Sequence, residues 1–197
     1  VQRVSRDEPP SLAFPHCRMA RTTPVDPAEY VSTDRPGWGT RASGFIHPLI
    51  RRSMIEEHRI RYDAELSHGE DFHFVVRLLL RGARLHYLDE AYYHYKIFDN
   101  SLSRAGWERI LRSFRRCCML LREEASARGA TRVARELTRR EREMDAWIAY
   151  RDLTQALRGR RLLEAQRVFW RMPSRSYAIG RFAASARRRV GFAERPV

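Results

Sequence analysis

A nearly continuous helical pattern occupies the second half of the chain and limits that half to a largely α-helical structure. From Trp107 to Leu121, apolar residues recur three, four, seven, eleven and fourteen positions apart, which places them along one face of a helix. Gly129, Gly159 and Pro173 interrupt the pattern, because glycine and proline end helices. We therefore predict one helix from Trp107 to the break at Gly129, and further helices over residues 131–157, 162–171 and 174–190.

The first forty residues show no sustained period and contain six prolines. We predict an irregular connecting segment over residues 1–40, with one short helical turn over residues 26–30 that Pro27 starts. Structureless segments of this length are uncommon in compact domains. We therefore expect this segment to connect to something upstream.

Residues 41–103 mix helical and extended patterns. Pro48 starts a predicted helix that ends at His58, since proline is favoured in a first helical turn. A second predicted helix begins near Glu70 and runs to Arg81 before Gly82. The segments 85–88 and 92–97 are short and rich in aromatic and apolar residues, which predicts two strands.

The net positive charge of the chain comes entirely from its second half. The net charge is +14, and residues 104–197 carry 24 arginines against 10 carboxylates. The last predicted helix places Arg181 and residues 187–189 beside an apolar stripe. Such a helix can lie on an anionic membrane, or it can belong to a helical bundle and expose its arginines to solvent.

The chain has neither a membrane-spanning apolar stretch nor a signal-like start. We therefore expect a cytoplasmic protein, with peripheral attachment at the inner face of the plasma membrane as an option.

The cysteines do not predict a disulfide or a zinc site. There are three, at positions 17, 117 and 118, and no Cys-x-x-Cys pair occurs. An odd number with two neighbours is a poor disulfide framework. Cys117 and Cys118 lie in an apolar helical run and are predicted to be small buried side chains.

Two carboxylates follow a glycine at a predicted helix start. Gly69 allows a sharp turn, and Glu70 and Asp71 then occupy the first turn, where the helix dipole stabilises negative charge. A carboxylate in a cleft can take a proton from a hydroxyl group, although acidic residues at helix starts mostly stabilise the helix. His68 and His73 flank the pair and are five residues apart, so we interpret them as supporting or surface groups, not as metal ligands.

An ordered series of motifs surrounds this pair. A Gly-Phe pair at residue 44 leads to a proline-capped helix with paired arginines, an Arg-Tyr-Asp turn and the Gly-Glu-Asp helix start. Gly-Ala-Arg, a Tyr-x-Tyr-Lys strand and a Ser-x-Ser loop follow in order up to residue 103. This series resembles the second half of family-2 glycosyltransferases, and is nearest to bacterial members that build exopolysaccharides.

The resemblance implies a fold and a reaction. The fold is α/β, the C-terminal, acceptor-side half of a GT-A domain with a few short strands over residues 41–103, followed by a basic α-helical extension over residues 104–197. The reaction is an inverting transfer of a sugar from a nucleotide-diphosphate sugar to a glycan or lipid-linked acceptor in exopolysaccharide synthesis. Asp71 matches the catalytic base of the family, and Glu70 matches the neighbour that binds the acceptor or holds the base.

Four further positions match substrate-binding positions of the family. Lys96 follows the strand, where a cation can offset diphosphate charge, or it is a solvated strand end. Ser101 and Ser103 match serines of the adjacent loop, and Ser101 could also serve as a turn former. Gly44 belongs to the Gly-Phe segment.

The chain departs from the family pattern in one respect. Family members hold Mg²⁺ or Mn²⁺ on the donor diphosphate through an Asp-x-Asp motif, and no Asp-x-Asp occurs in this sequence. We therefore expect the chain alone to bind neither metal nor donor.

An alternative function, which is not enzymatic, is that of a binding module. In this alternative the chain is a non-catalytic remnant of such an enzyme, and its basic helices bind anionic membrane or nucleic acid. No nucleic-acid-binding motif is present, so specific nucleic-acid binding is not expected.

Overall fold

The computed structural model describes residues 2–4, 11–12, 23–33, 47–87, 94–96, 106–175 and 178–180. The chain divides into two compact units, unit 1 over residues 1–140 and unit 2 over residues 141–197. The helices and strands in chain order are β1 Gln2–Val4, β2 Ser11–Leu12, α1 Pro27–Thr33, α2 Arg52–Glu57, α3 Glu70–Leu79, β3 His94–Lys96, α4 Trp107–Ala127, α5 Thr131–Arg158 and α6 Leu162–Arg171.

Helices dominate the described residues, so the predicted α/β class and GT-A half are wrong. The described strands are two or three residues long, and β1 pairs antiparallel with β2 and parallel with β3. In contrast, α4 and α5 span 21 and 28 residues. In an α/β domain, helices cover both faces of a sheet whose strands usually have five or six residues. A sheet as small as this one cannot provide those faces.

The starts of four helices were predicted correctly, because a clear sequence pattern marks each of them. Four helices, α3 to α6, begin at the predicted residues, which are Glu70, Trp107, Thr131 and Leu162. The short helix predicted around residues 26–30 is α1. The predicted helix over residues 174–190 lies mostly outside the described residues.

Two predictions within residues 47–87 are wrong. The backbone of Arg51 is extended, with φ −64° and ψ 121°, so α2 begins at Arg52, four residues after Pro48. Residues 85–87 form no strand, and the carbonyl of Leu85 accepts a hydrogen bond from Val25 N–H at 2.8 Å. The other predicted strand, over residues 92–97, includes β3.

Asp26 explains why a helix starts in the proline-rich segment. Its Oδ1 accepts hydrogen bonds from the N–H groups of Ala28 and Glu29, both at 3.0 Å. These bonds satisfy two donors that a helix start leaves without partners, and Pro27 has no N–H to satisfy. The sequence Asp-Pro thus positions α1 over the core.

The core of unit 1 lies between α1, α3, α4 and the first turns of α5. Its fully enclosed members include Val31, Val76, Leu121 and Leu137, and Cys117 and Cys118 have no exposed surface. The prediction that both cysteines are small buried side chains is confirmed. All of α4 and the first part of α5 therefore belong to the same unit as residues 47–87. The predicted domain boundaries stay a prediction.

A buried arginine joins α5 to α1 and α3. Arg140 is 2% exposed, and its Nη1 donates to the carbonyl of Val31 at 3.0 Å. Its guanidinium lies 4.3 Å from the ring centroid of Phe72, and that ring stacks on Tyr30 at 5.9 Å. The cation–π contact and the hydrogen bond offset part of the cost of burying this charge.

Glu124 on α4 is the centre of an arginine cluster that ties α4 to α3. Its carboxylate lies 3.1 Å from Arg77 Nε, 2.5 Å from Arg81 Nη1 and 3.3 Å from Arg128 Nε. Burial alone would raise the pKa of Glu124, but the hydrogen bond from Arg81 and the charges of Arg81 and Arg77 outweigh burial and lower that pKa. The carboxylate therefore remains charged at neutral pH.

We expect Glu124→Gln to lower the free energy of unfolding at pH 7 by about 1–3 kcal/mol, because three arginines lose a charged partner in a partly buried site. A carboxylate whose pKa is lowered by folding stabilises the fold above its unfolded pKa, and this contribution is lost as the pH falls through the folded pKa. The unfolded value is 4.5. Urea unfolding at pH 7 and pH 3 should therefore show a larger difference between the two proteins at pH 7.

Glu56 provides the matched control for this prediction. It pairs with Arg52 at 2.6 Å, four residues away on α2, and both side chains are mostly exposed. Glu56→Gln should change the free energy of unfolding by less than about 1 kcal/mol. An equal loss for Glu124→Gln at both pH values would contradict the role assigned to the cluster.

Unit 2 has its own small core. It consists of Leu153 and Ala156 from α5, Ala165 from α6, and Met172 and Ala178, with Val168 and Phe169 packed against them. Small side chains at the centre allow the end of α5 and α6 to approach closely. Among the described helices, none is long and apolar enough to cross a membrane.

Candidate active site

The residue before α3 is a glycine, and the backbone conformation at this position favours glycine. Gly69 precedes the helix with φ 85°, in the left-handed region that favours glycine. A Cβ at this position would lie 3.1 Å from the ring of Phe114 on α4. The carbonyl of Gly69 accepts the N–H of His73 at 2.8 Å, and Cys117 Sγ lies 3.5 Å from the same oxygen. Backbone conformation and close packing both disfavour a side chain here.

A reciprocal pair of hydrogen bonds holds the preceding residue on α4. His68 N–H donates to Ser113 Oγ at 3.0 Å, and Ser113 Oγ donates to the carbonyl of His68 at 2.8 Å. Three residues before His68, Glu65 forms an ion pair with Arg116 on α4. The segment that leads into α3 is therefore held at several points, and the direction in which α3 begins is well defined.

The carboxylates of Glu70 and Asp71 occupy the first turn of α3, as predicted, and both residues are half-buried. Tyr62 O–H donates to Asp71 Oδ1 at 3.1 Å. The ring of Tyr62 stacks on Phe74 with 4.5 Å between centroids, which positions the hydroxyl group. Burial raises the pKa of Tyr62, as do the charge and hydrogen bond of Asp71 and the charge of Glu70. Tyr62 thus stays protonated at neutral pH and keeps donating.

This arrangement can hold a negatively charged oxygen in a defined position. The carboxylate of Asp71 has one oxygen fixed by Tyr62 and lies at the positive end of a ten-residue helix, where the dipole stabilises negative charge. Within the described residues, no group donates to its second oxygen, Oδ2. A hydroxyl group placed within hydrogen-bond reach of Oδ2 could transfer its proton there.

The two flanking histidines have different environments. His68 is half-buried, and its ring Nδ1 lies 3.3 Å from Ser67 Oγ. His73 is 6% exposed, and its buried Nδ1 has no hydrogen-bond partner among the described residues. Burial lowers the pKa of His73, and the charge of Arg77 lowers it further. His73 is a neutral interior side chain, and the alternative that it is a surface group is wrong.

The structure brings only part of the predicted site together. The backbone of Lys96 ends β3, where it pairs in parallel with Val4 of β1. Ser101, Ser103 and Gly44 lie outside the described residues. Their roles as substrate-binding residues stay predictions.

Sequence reasoning did not identify the residues that hold Asp71 in place. Tyr62 lies nine positions earlier, within the Arg-Tyr-Asp motif, and its place in that motif was a usable signal. Ser113 and Phe114 lie more than forty positions later in an ordinary amphipathic helix. No local pattern marks them, because their role depends on how α4 packs against the start of α3.

The described residues do not form a site for the divalent cation that the resemblance implies. Among the residues that the structure describes, no group of three or more His, Cys, Asp or Glu side chains could hold a metal ion. The carboxylate of Asp71 is bonded to a tyrosine, and Glu124 is surrounded by arginines.

Comparisons with known proteins give a partial match. No family model matches the chain, and no solved structure matches it. The chain is 33% identical over 97 residues to the protein named succinoglycan biosynthesis protein ExoU from Rhizobium meliloti (strain 1021). The match covers 46% of this chain and 28% of that protein, so the chain spans well under two thirds of the length of this relative. Over less than half its length, then, the chain is similar to a protein of succinoglycan biosynthesis.

Proposed function

We propose that this chain forms the acceptor-side part of a family-2 inverting glycosyltransferase that acts in exopolysaccharide synthesis. The observation that carries the proposal is Asp71 at the start of α3, with Oδ1 held by Tyr62 at 3.1 Å and the helix start held on α4. The match to a protein named for succinoglycan biosynthesis supports the process. The ordered motifs of residues 44–103 support the reaction.

In the proposed reaction, Asp71 acts as general base. Its Oδ2 takes the proton of an acceptor hydroxyl while that hydroxyl oxygen attacks the anomeric carbon of the donor sugar. The bond between the anomeric carbon and the diphosphate oxygen breaks as the new glycosidic bond forms, and the nucleoside diphosphate leaves with the bonding electrons. A single displacement of this kind inverts the anomeric configuration.

Other residues would support this step. Tyr62 holds the carboxylate of Asp71 in one orientation, which saves reorganisation during the reaction. Glu70 binds the acceptor or holds the base. Lys96, Ser101, Ser103 and Gly44 contact the substrates, with Lys96 offsetting diphosphate charge. Donor and divalent cation, Mg²⁺ or Mn²⁺, would be held by residues other than those described.

A hybrid protein tests this function. In the hybrid, the part of this chain that matches the Rhizobium meliloti protein replaces the corresponding segment of that protein. Transfer from a panel of labelled nucleotide sugars to bacterial membrane lipids is measured. We expect transfer by the hybrid. The chain by itself should not bind the nucleotide sugars, because it lacks an Asp-x-Asp motif.

The hybrid also separates the two candidate functions. Transfer that depends on Asp71 supports the enzyme. A folded hybrid that shows no transfer, or transfer that is indifferent to Asp71, contradicts the proposed reaction and favours the non-catalytic binding module. Donor binding by the chain alone would show that the missing motif is not needed.

A further inference from the structure

Unit 2 exposes large apolar side chains around α6. Leu162 and Leu163 are 69% and 74% exposed, Trp170 is 61% exposed, and Ile179 is 60% exposed. Leu163 and Trp170 are seven residues apart, so they lie on the same face of α6, two turns from each other. The face that carries Ala165 packs on the core of unit 2. Helix α6 is therefore apolar on a second, outward face.

The surroundings of this face are strongly basic. Residues 157–175 contain six arginines and a single carboxylate, that of Glu164, which pairs with Arg161 at 2.9 Å. Arg167 lies one turn from Leu163, and Arg171 follows Trp170 directly. The guanidinium of Arg175 lies 5.1 Å from the ring centroid of Trp170. The arginines in this segment are Arg158, Arg160, Arg161, Arg167, Arg171 and Arg175.

We propose that the outward face of α6 binds the surface of an anionic lipid membrane. The apolar side chains would enter the boundary between headgroups and acyl chains, where tryptophan is favoured, and the arginines would contact lipid phosphates. Long arginine side chains can lie along apolar surface while keeping their charge near the headgroups. This arrangement extends the proposed function, because it would hold the chain where membrane lipids serve as acceptors.

Charge favours a membrane over other occupants of this face. In a symmetric pair of chains, the six arginines of one copy would approach those of the other, and like charges that face each other oppose association. A nucleic acid would satisfy the arginines, but its phosphate backbone offers little contact for four exposed apolar side chains. An anionic bilayer provides both negative charge and an apolar phase.

Co-sedimentation of the full chain with vesicles tests the proposal. One set of vesicles contains phosphatidylglycerol and phosphatidylcholine in equal parts, and the other contains phosphatidylcholine alone. We expect binding to the anionic vesicles, and binding about tenfold weaker after Trp170→Ser or Leu163→Ser, since each removes an apolar side chain from the bilayer. Arg167→Gln and Arg171→Gln should each weaken binding by roughly fivefold.

Leu49→Ser is the matched control, because Leu49 is fully exposed in unit 1, far from α6 in sequence. It should bind like the unmodified chain, and all variants should retain its circular dichroism spectrum. Equal binding to both kinds of vesicle, or no loss in Trp170→Ser, would overturn the proposal. So would binding of duplex DNA without binding of vesicles, or self-association that Trp170→Ser abolishes in a chain that does not bind vesicles.

Discussion

Replacing Asp71 by asparagine is expected to reduce sugar transfer by the hybrid protein by about 10²- to 10⁴-fold, the usual contribution of a positioned general base. Asparagine keeps an oxygen that can accept the hydrogen bond from Tyr62, so the start of α3 should remain intact. What it lacks is the basic oxygen that takes the proton. The decrease should therefore appear in kcat, measured with saturating acceptor, while KM for the acceptor changes little.

Two variants serve as comparisons for this prediction. Tyr62→Phe keeps the stacking on Phe74 but removes the hydrogen bond to Asp71. A smaller decrease of about tenfold is expected, as for the loss of one hydrogen bond to a charged group. Glu57→Gln changes an exposed carboxylate at the end of α2 and should leave transfer unchanged. If Asp71→Asn retained more than a third of the activity, Asp71 would not be the base.

Gly69→Ala is expected to destabilise unit 1 by about 2–4 kcal/mol, which combines the cost of a left-handed conformation with that of an overpacked contact. The backbone at Gly69 has φ 85°, and the added Cβ would meet the ring of Phe114 at 3.1 Å. Denaturant unfolding followed by circular dichroism measures this loss. A rearranged helix start would also move Asp71, so transfer by the hybrid should fall as well.

The same substitution at Gly82 separates the conformational cost from the cost of the overpacked contact. Gly82 has nearly the same conformation, with φ 86°, but an added Cβ would have no neighbour within 4 Å. Gly82→Ala should therefore cost only about 1–2 kcal/mol, the conformational part. In a Phe114→Leu background, the cost of Gly69→Ala should approach that of Gly82→Ala. Equal costs at both glycines in the natural background would show that Phe114 does not contribute.

Local sequence patterns predicted several helices because each has a strong start or stop signal. Asp26-Pro27 starts α1, Gly69 precedes α3, and Gly129 ends the segment that contains α4. The prediction for α2 was less accurate because its only start signal was Pro48. A helix tolerates proline in its first turn, but proline does not cap the helix. The helix begins later, at Arg52.

The strand predictions were less successful because aromatic and apolar residues are also used to cover a helical core. Leu85 is half-buried and Tyr87 is buried in unit 1, yet residues 85–87 form no strand. A strand needs a partner with matching register, and neither apolar content nor alternation provides one. The resemblance implied the α/β class, and that class requires a sheet of such paired strands. The described strands form only a small sheet, so the class was wrong although many helix positions were correct.

The sequence by itself determined where most helices lie, that both carboxylates stand in the first turn of α3, and that the second half carries all the excess positive charge. Those properties follow from helical period, end signals and composition, which are local. Only the tertiary structure decided that Tyr62 holds Asp71, that Phe114 and Ser113 hold the turn at Gly69, and that α6 keeps an apolar face outside the core. These depend on contacts between residues up to 45 positions apart, and packing selects such contacts without a local pattern to mark them.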